Sequence, residues 1–321
     1  MEMTTKTKDG RVVTTYQFPV RPEKKTLGQM LYDKESKKIL GRTTDMWGKL
    51  LLFYTIFYIL LAMLVAICMQ GLLSTLNHQY PKWQLDESII GTSPGVNYRP
   101  LPANPEQEAT LQYVAANRSD VKLWVDRLNE FLAPYQDPTL LPGGGKNQVI
   151  CDFNTPPTGG NVCAVDVSKL GPCSSSEGYS YNKSAPCIFV KLNRIYGWTP
   201  DYYNDANDLP QDMPTDLVDH IKSLPEGPER QQVWVSCKGI SAADAEAVGP
   251  IDYYPNRGLA SYYYPYTNKA GYLSPLVAVH FARPTVKRMI NVECRVWAKN
   301  VVYQGGMRDR RGSVQFGLQI N

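Results

Sequence analysis

One apolar run dominates the pattern of this chain. Leu50–Leu76 holds 27 residues without a single Asp, Glu, Lys, Arg or His. At about 1.5 Å of rise per residue such a run makes a helix of roughly 40 Å, enough to cross a hydrocarbon core of about 30 Å with some tilt. The segment before it has no hydrophobic period and reads as mostly unstructured, with a short ordered approach at Lys38–Thr44. After it, Tyr80–Pro105 carries five prolines and reads as an extended stalk. Val121, Trp124, Val125, Leu128, Phe131 and Leu132 then form one helical stripe, with Ser119 or Asp120 as the expected cap and Pro134 as the expected stop.

From Cys151 onward the apolar runs are short and punctuated by Pro and Gly. Expected strands are Val162–Val167, Cys187–Leu192, Gln232–Ser236, Leu276–Phe281, Asn291–Val302 and Ser313–Ile320, with a short helix at Thr215–Leu224. The last strand alternates, with Val314, Phe316, Leu318 and Ile320 on one face. Strands at this spacing predict an antiparallel sandwich. The pattern divides the chain into residues 1–49, a span at 50–76, and a folded domain at 77–321 whose first part, 77–105, is the stalk.

Charge orients the span. Of 34 basic and 30 acidic residues, eleven and six fall in residues 1–49, a local excess of +5, and the rest of the chain carries −1. The basic excess flanks the membrane segment and is no footprint of a nucleic-acid site, which needs a basic patch on the folded domain. The positive-inside rule places the N-terminus in the cytosol and the large domain outside, a type II topology. The run is too long, and begins too late, for a cleaved signal peptide, so it reads as a signal anchor.

Candidate chemistry follows from that sidedness. Six of the seven cysteines lie beyond the span: Cys151, Cys163, Cys173, Cys187, Cys237 and Cys294. In an exported domain they predict three disulfides among fifteen connectivities, of which sequential pairing is the simplest. The sequence has no C-x-x-C, and its three histidines are scattered, which argues against a zinc site. Two N-x-[ST] sequons begin at Asn117 and Asn182. The sequence holds no Asp-x-Asp pair, no G-x-S-x-G, no H-E-x-x-H and no Gly-rich dinucleotide turn, so no catalytic set, cofactor or metal is expected.

Aromatic residues form the remaining signal. Phe53, Tyr54, Phe57 and Tyr58 recur at helical spacing, and Tyr58 lies about 13 Å along the axis from Lys49, deeper than an interfacial belt requires. A phenol at that depth needs a hydrogen-bond partner, and a neighbouring helix is the natural source. Outside, Tyr262-Tyr263-Tyr264-Pro265-Tyr266 suits a contact surface or the lining of a sandwich core.

Several stretches together resemble the beta subunits of the potassium-transporting P-type ATPases, nearest the sodium/potassium pump. They are Leu40-Gly41-Arg42-Thr43, Leu51 to Tyr58, Pro186-Cys187-Ile188-Phe189-Val190-Lys191-Leu192-Asn193-Arg194-Ile195, Tyr263-Tyr264-Pro265-Tyr266 and Leu273 to Phe281. The resemblance covers about residues 38–321. It implies an immunoglobulin-like outer sandwich with helical insertion, and the pairing Cys151–Cys163, Cys173–Cys187 and Cys237–Cys294. It implies a non-catalytic plasma-membrane subunit that supports folding and delivery of a catalytic alpha subunit and tunes potassium handling. Tyr54, Phe57 and Tyr58 would contact that partner within the membrane, and Tyr263, Tyr264 and Tyr266 outside it. Lipid and a small single-span regulatory subunit are further expected neighbours. One departure is Ile59-Leu60-Leu61-Ala62-Met63, where relatives often carry Gly-x-x-x-Gly; Ala62 and Ala66 keep a weaker small-residue pair. An adhesion or receptor-type ectodomain is the alternative function.

Overall fold

The computed structural model describes the chain apart from residues 1–2, 9–10, 17–31, 34–36, 103–108 and 307–309. It divides into two compact units, Met1–Leu76 and Asn77–Asn321.

In the first unit, β1 (Met3–Lys8) pairs antiparallel with β2 (Arg11–Tyr16), and β3 (Tyr32–Asp33) pairs with β4 (Lys38–Ile39). Regular structure thus appears in a segment whose hydrophobic period predicts none. The reason is local: three of the six residues of β1 are Thr, and four of the six residues of β2 are Val or Thr, types that favour strands. Residues 1–2, 9–10, 17–31 and 34–36 of that segment lie outside the described residues. Helix α1 (Thr44–Ser74) has 31 residues, starting six before the apolar run. Its polar first turn explains the difference, because Asp45 sits at the positive helix end and pairs with Lys49 at 2.8 Å. Trp47 Nε1 donates to the Ile39 carbonyl at 2.9 Å, tying the entry of the helix to β4. No residue of α1 is buried, so the whole apolar surface is left for another medium.

The second unit is mostly β. Its strands are β5 (Val96–Arg99), β6 (Thr110–Tyr113), β7 (Gln148–Val149), β8 (Val162–Cys163), β9 (Cys187–Leu192), β10 (Gln232–Gly239), β11 (Ile251–Tyr254), β12 (Gly258–Ala260), β13 (Leu276–Phe281), β14 (Met289–Trp297) and β15 (Ser313–Ile320). Five form one sheet in the order β12-β10-β14-β15-β6, and four form another in the order β11-β13-β9-β5. Within these two sheets the pairing is antiparallel except where β6 runs parallel to β15 at the edge of the five-stranded sheet, and β7 and β8 form a separate parallel pair. Strand β5 lies within the stretch read as a stalk and pairs with β9, with Arg99 opposite Phe189. The end of that stretch, residues 103–105, lies outside the described residues.

The two sheets share a core. Ile290, Val292, Cys294 and Val296 of β14 are buried in it, as are Phe316, Leu318 and Ile320 of β15. The Phe316 ring lies 4.8 Å from Tyr98 and 6.2 Å from Phe281, both in the opposite sheet. Helix α2 (Arg118–Gln136) covers the four-stranded sheet, burying Trp124, Leu128 and Leu132 and placing Phe131 6.4 Å from Phe189. Its cap is Asn117 rather than Ser119 or Asp120, and Pro134 lies inside its last turn without ending it. So close to the C-terminus few backbone bonds remain to be lost, and Asp137 N still donates to Ala133 O at 2.9 Å.

The outward face of the five-stranded sheet has a cover of its own. Helix α3 (Thr215–Ser223) packs Leu217 and Ile221, with Met213, against Trp234 and Trp297. The even spacing of Trp234 and Ser236 explains the contact, since both face away from the main core; Trp297 Nε1 donates to Ser236 Oγ at 2.8 Å. A short α4 (Ala242–Ala247) follows β10 behind a capping box of Ser241 and Asp244.

Candidate subunit-contact site

The aromatic residues of α1 form a ladder. A spacing of four residues places side chains one turn apart on one face, which sets Phe53 on Phe57 and Tyr54 on Tyr58. The rings are stacked, with centroids 6.3 Å and 6.1 Å apart. Edge contacts at 5.4 Å join Phe53 to Tyr54 and Phe57 to Tyr58, giving a two-by-two lattice. All four rings are exposed. A phenol facing hydrocarbon leaves a donor and an acceptor unmet, and the helix backbone has none to spare. This ridge therefore presents two phenols whose polar atoms have no partner within α1.

The tyrosines expected to touch a partner from the second unit divide into two kinds. Tyr263 and Tyr264 pack against the core. Tyr263 donates its hydroxyl to Ala164 O at 3.3 Å, and Tyr264 sets its ring edge-on to Trp198 at 5.5 Å with its hydroxyl buried. Burial pushes both phenols above the usual tyrosine range. Tyr266 is different. Its hydroxyl donates to Asn268 Oδ1 at 2.9 Å, and its ring lies 4.9 Å from Tyr272 and 5.5 Å from the Arg194 guanidinium. Tyr266 and Arg194 line a groove of about 450 Å³ together with His78, Trp83, Ile90 and Tyr196. Asn268 Nδ2 donates to Gln79 O at 3.2 Å across the same groove. Of the three outer positions expected to touch a partner, Tyr266 is the one that lines this groove. Arg194 lines it too; it has no assigned role in the sequence pattern, although it falls within the Pro186–Ile195 stretch and lies just past the end of β9.

The covalent features lie on the second unit. Disulfides join Cys151 to Cys163, Cys173 to Cys187 and Cys237 to Cys294. The last pair occupies facing positions of β10 and β14, inside the sheet. Both sequon asparagines are exposed. Asn117 Oδ1 accepts from Ser119 N at 3.1 Å and Ser119 Oγ at 2.7 Å, so the first sequon is also the cap of α2. Asn182 lies in the 3₁₀ stretch Ser175–Lys183. Among the described residues, no group of three His, Cys, Asp or Glu side chains is placed to hold a metal ion.

Comparison with known families bears on the whole chain. The model of the sodium/potassium ATPase beta chain family matches residues 19–316. The chain belongs to this family. The sodium/potassium-transporting ATPase subunit beta-2 of Drosophila melanogaster is 50% identical over 306 residues, covering 94% of both chains. Subunit beta-1 of the same organism is 42% identical over 306 residues, covering 95% of this chain and 96% of its own. The beta-2 subunit of Homo sapiens is 30% identical over 327 residues, covering 94% and 99%. As a beta chain of this family, the protein is a non-catalytic accessory subunit of the pump. Among the described residues one helix is long and apolar enough to cross a membrane, which is consistent with a chain that crosses it once.

Proposed function

We propose that this chain assembles with the catalytic alpha subunit of a sodium/potassium-transporting ATPase, supports its folding and plasma-membrane delivery, and tunes its potassium affinity. The observation that carries the reading is the exposed lattice of Phe53, Tyr54, Phe57 and Tyr58 on α1. In this reading Tyr54, Phe57 and Tyr58 face a transmembrane helix of the alpha subunit, the opposite face meets lipid, and a small single-span regulatory subunit is a further neighbour. Outside, Tyr266 makes the direct contact, while Tyr263 and Tyr264 act by holding its segment in shape. The second unit is read as an immunoglobulin-like sandwich, supported by its two sheets on one core.

The orientation is type II, with residues 1–49 cytosolic, 50–76 in the membrane and 77–321 outside. Its support is the +5 excess before the span and the three disulfides after it. Sequon use tests it directly. The full chain expressed in animal cells should lose mass on treatment with a peptide N-glycosidase, and Asn117→Asp with Asn182→Gln should abolish that loss. No loss from the unaltered chain would contradict an external domain. The cap makes a finer distinction. Asn117→Asp keeps an acceptor and should leave stability unchanged, whereas Asn117→Ala should cost about 1 kcal/mol, read as a lower urea midpoint.

A further inference from the structure

Three cations meet on the face of the four-stranded sheet that carries α2. Arg99 stands opposite Phe189, and Lys191 opposite Asn97, so Arg99 and Lys191 are diagonal neighbours on one face. Both approach the ring of Phe131, Arg99 at 5.8 Å and Lys191 at 5.3 Å from its centroid. Phe131 is 5.6 Å from Tyr135, whose hydroxyl donates to Ser274 O at 2.9 Å. Arg194 binds the same Ser274, donating from Nε to its Oγ at 3.0 Å, and lies 5.3 Å from the Tyr272 ring.

Among the described residues, none of the three forms an ion pair with a carboxylate. Like charges on neighbouring positions repel, so an uncompensated trio is a cost to the fold unless an anion answers it. Burial, then the charges of Arg99 and Arg194, hold the Lys191 ammonium below the usual lysine range. Their donors are only partly used. Arg99 Nη1 donates to Asn97 Oδ1 at 2.9 Å and to Tyr98 O at 2.8 Å, which fixes that guanidinium and leaves its Nη2 edge open. Arg194 is fixed by Ser274 through Nε and by two tyrosine rings, leaving both terminal nitrogens open. Two pre-oriented guanidinium forks beside an ammonium match the tetrahedral oxygens of a sulfate or phosphate group.

We propose that Arg99, Lys191 and Arg194 form a binding site for a sulfate or phosphate oxyanion, free or carried as an ester on a saccharide, on the α2 face of the four-stranded sheet. The site lies wholly within the second unit and shares Arg194 with the groove that Tyr266 lines.

Thermal unfolding of the full chain in detergent tests it, with sodium sulfate, inorganic phosphate or a sulfated disaccharide titrated at constant ionic strength. The unaltered protein should show a saturable rise in midpoint above the linear salting effect that any protein shows with sulfate. Lys191→Met keeps the aliphatic stem and should weaken apparent affinity at least tenfold. Its midpoint without oxyanion should not fall, since one of three repelling charges is gone. Arg99→Gln should weaken binding similarly and serves as the independent variant. A disaccharide binding more than tenfold tighter than sulfate assigns a saccharide-borne group, and equal binding assigns the free ion. A purely linear response in the unaltered protein, or identical saturation in both variants, would overturn the proposal.

Discussion

Removing the Cys237–Cys294 bridge by a double substitution to alanine is expected to lower stability by about 4 kcal/mol, more than removal of either other disulfide. The pair closes a loop with a sequence separation of 57, against 12 for Cys151–Cys163 and 14 for Cys173–Cys187. Loop entropy grows with the logarithm of length, so the shorter bridges are each worth about 3 kcal/mol in the same model. The long loop also contains β11, β12 and β13, so the bridge holds both sheets' strands within reach of each other in the unfolded chain. The surrounding β10–β14 ladder should survive, because six register pairs from Trp234–Trp297 to Gly239–Val292 remain. Urea unfolding of the full chain in detergent should therefore give a lower midpoint with native-like spectra before the transition. A smaller loss for Cys237→Ala with Cys294→Ala than for the 12-residue bridge would contradict the loop argument.

Tyr54→Ala with Tyr58→Ala is the second large effect, and it falls on assembly rather than on folding. Both rings are exposed on α1, and the second unit has its own core, so the second unit's unfolding midpoint should not move. A hydrogen bond between membrane helices is worth roughly 0.6–2 kcal/mol. Losing two of them with their ring contacts should weaken association at least tenfold, at about 1.4 kcal/mol per factor of ten. Replacing both by Phe separates the two contributions, since it removes hydroxyls and keeps the stack. The alanine pair should reduce recovery of a co-expressed alpha subunit, the phenylalanine pair should reduce it less, and unchanged recovery with altered potassium affinity would place the contact in tuning alone.

How much of this was legible in the sequence depends on how local the cause is. The span was readable because 27 uncharged residues have one economical reading, although the helix begins earlier, where Asp45 and Lys49 complete its first turn. Strands Cys187–Leu192, Leu276–Phe281 and Ser313–Ile320 match the pattern to the residue, because the last alternates and the other two are apolar runs broken by one polar residue, Lys191 or His280. Strands β5, β6, β11 and β12 gave no such signal. They hold three or four residues each, and partners distant in sequence make them strands. Val162–Val167 shrinks to Val162–Cys163, since its ladder with β7 has only two register pairs.

The candidate site divides along the same line. The ladder on α1 follows from helical spacing, so its geometry was implicit in the order of four residues. The inward turn of Tyr263 and Tyr264 was not, because Ala164 and Trp198 reach them only through the fold. The trio of Arg99, Lys191 and Arg194 was equally hidden, since Arg99 joins the others only by the register of β5 on β9.

The most direct measurement is affinity purification of the full chain from animal cells that also express a sodium/potassium-pump alpha subunit, with surface labelling of that subunit. A stoichiometric complex is expected, with more alpha subunit at the cell surface than when it is expressed alone. Recovery of this chain without the alpha subunit, and unchanged surface delivery, would contradict the account.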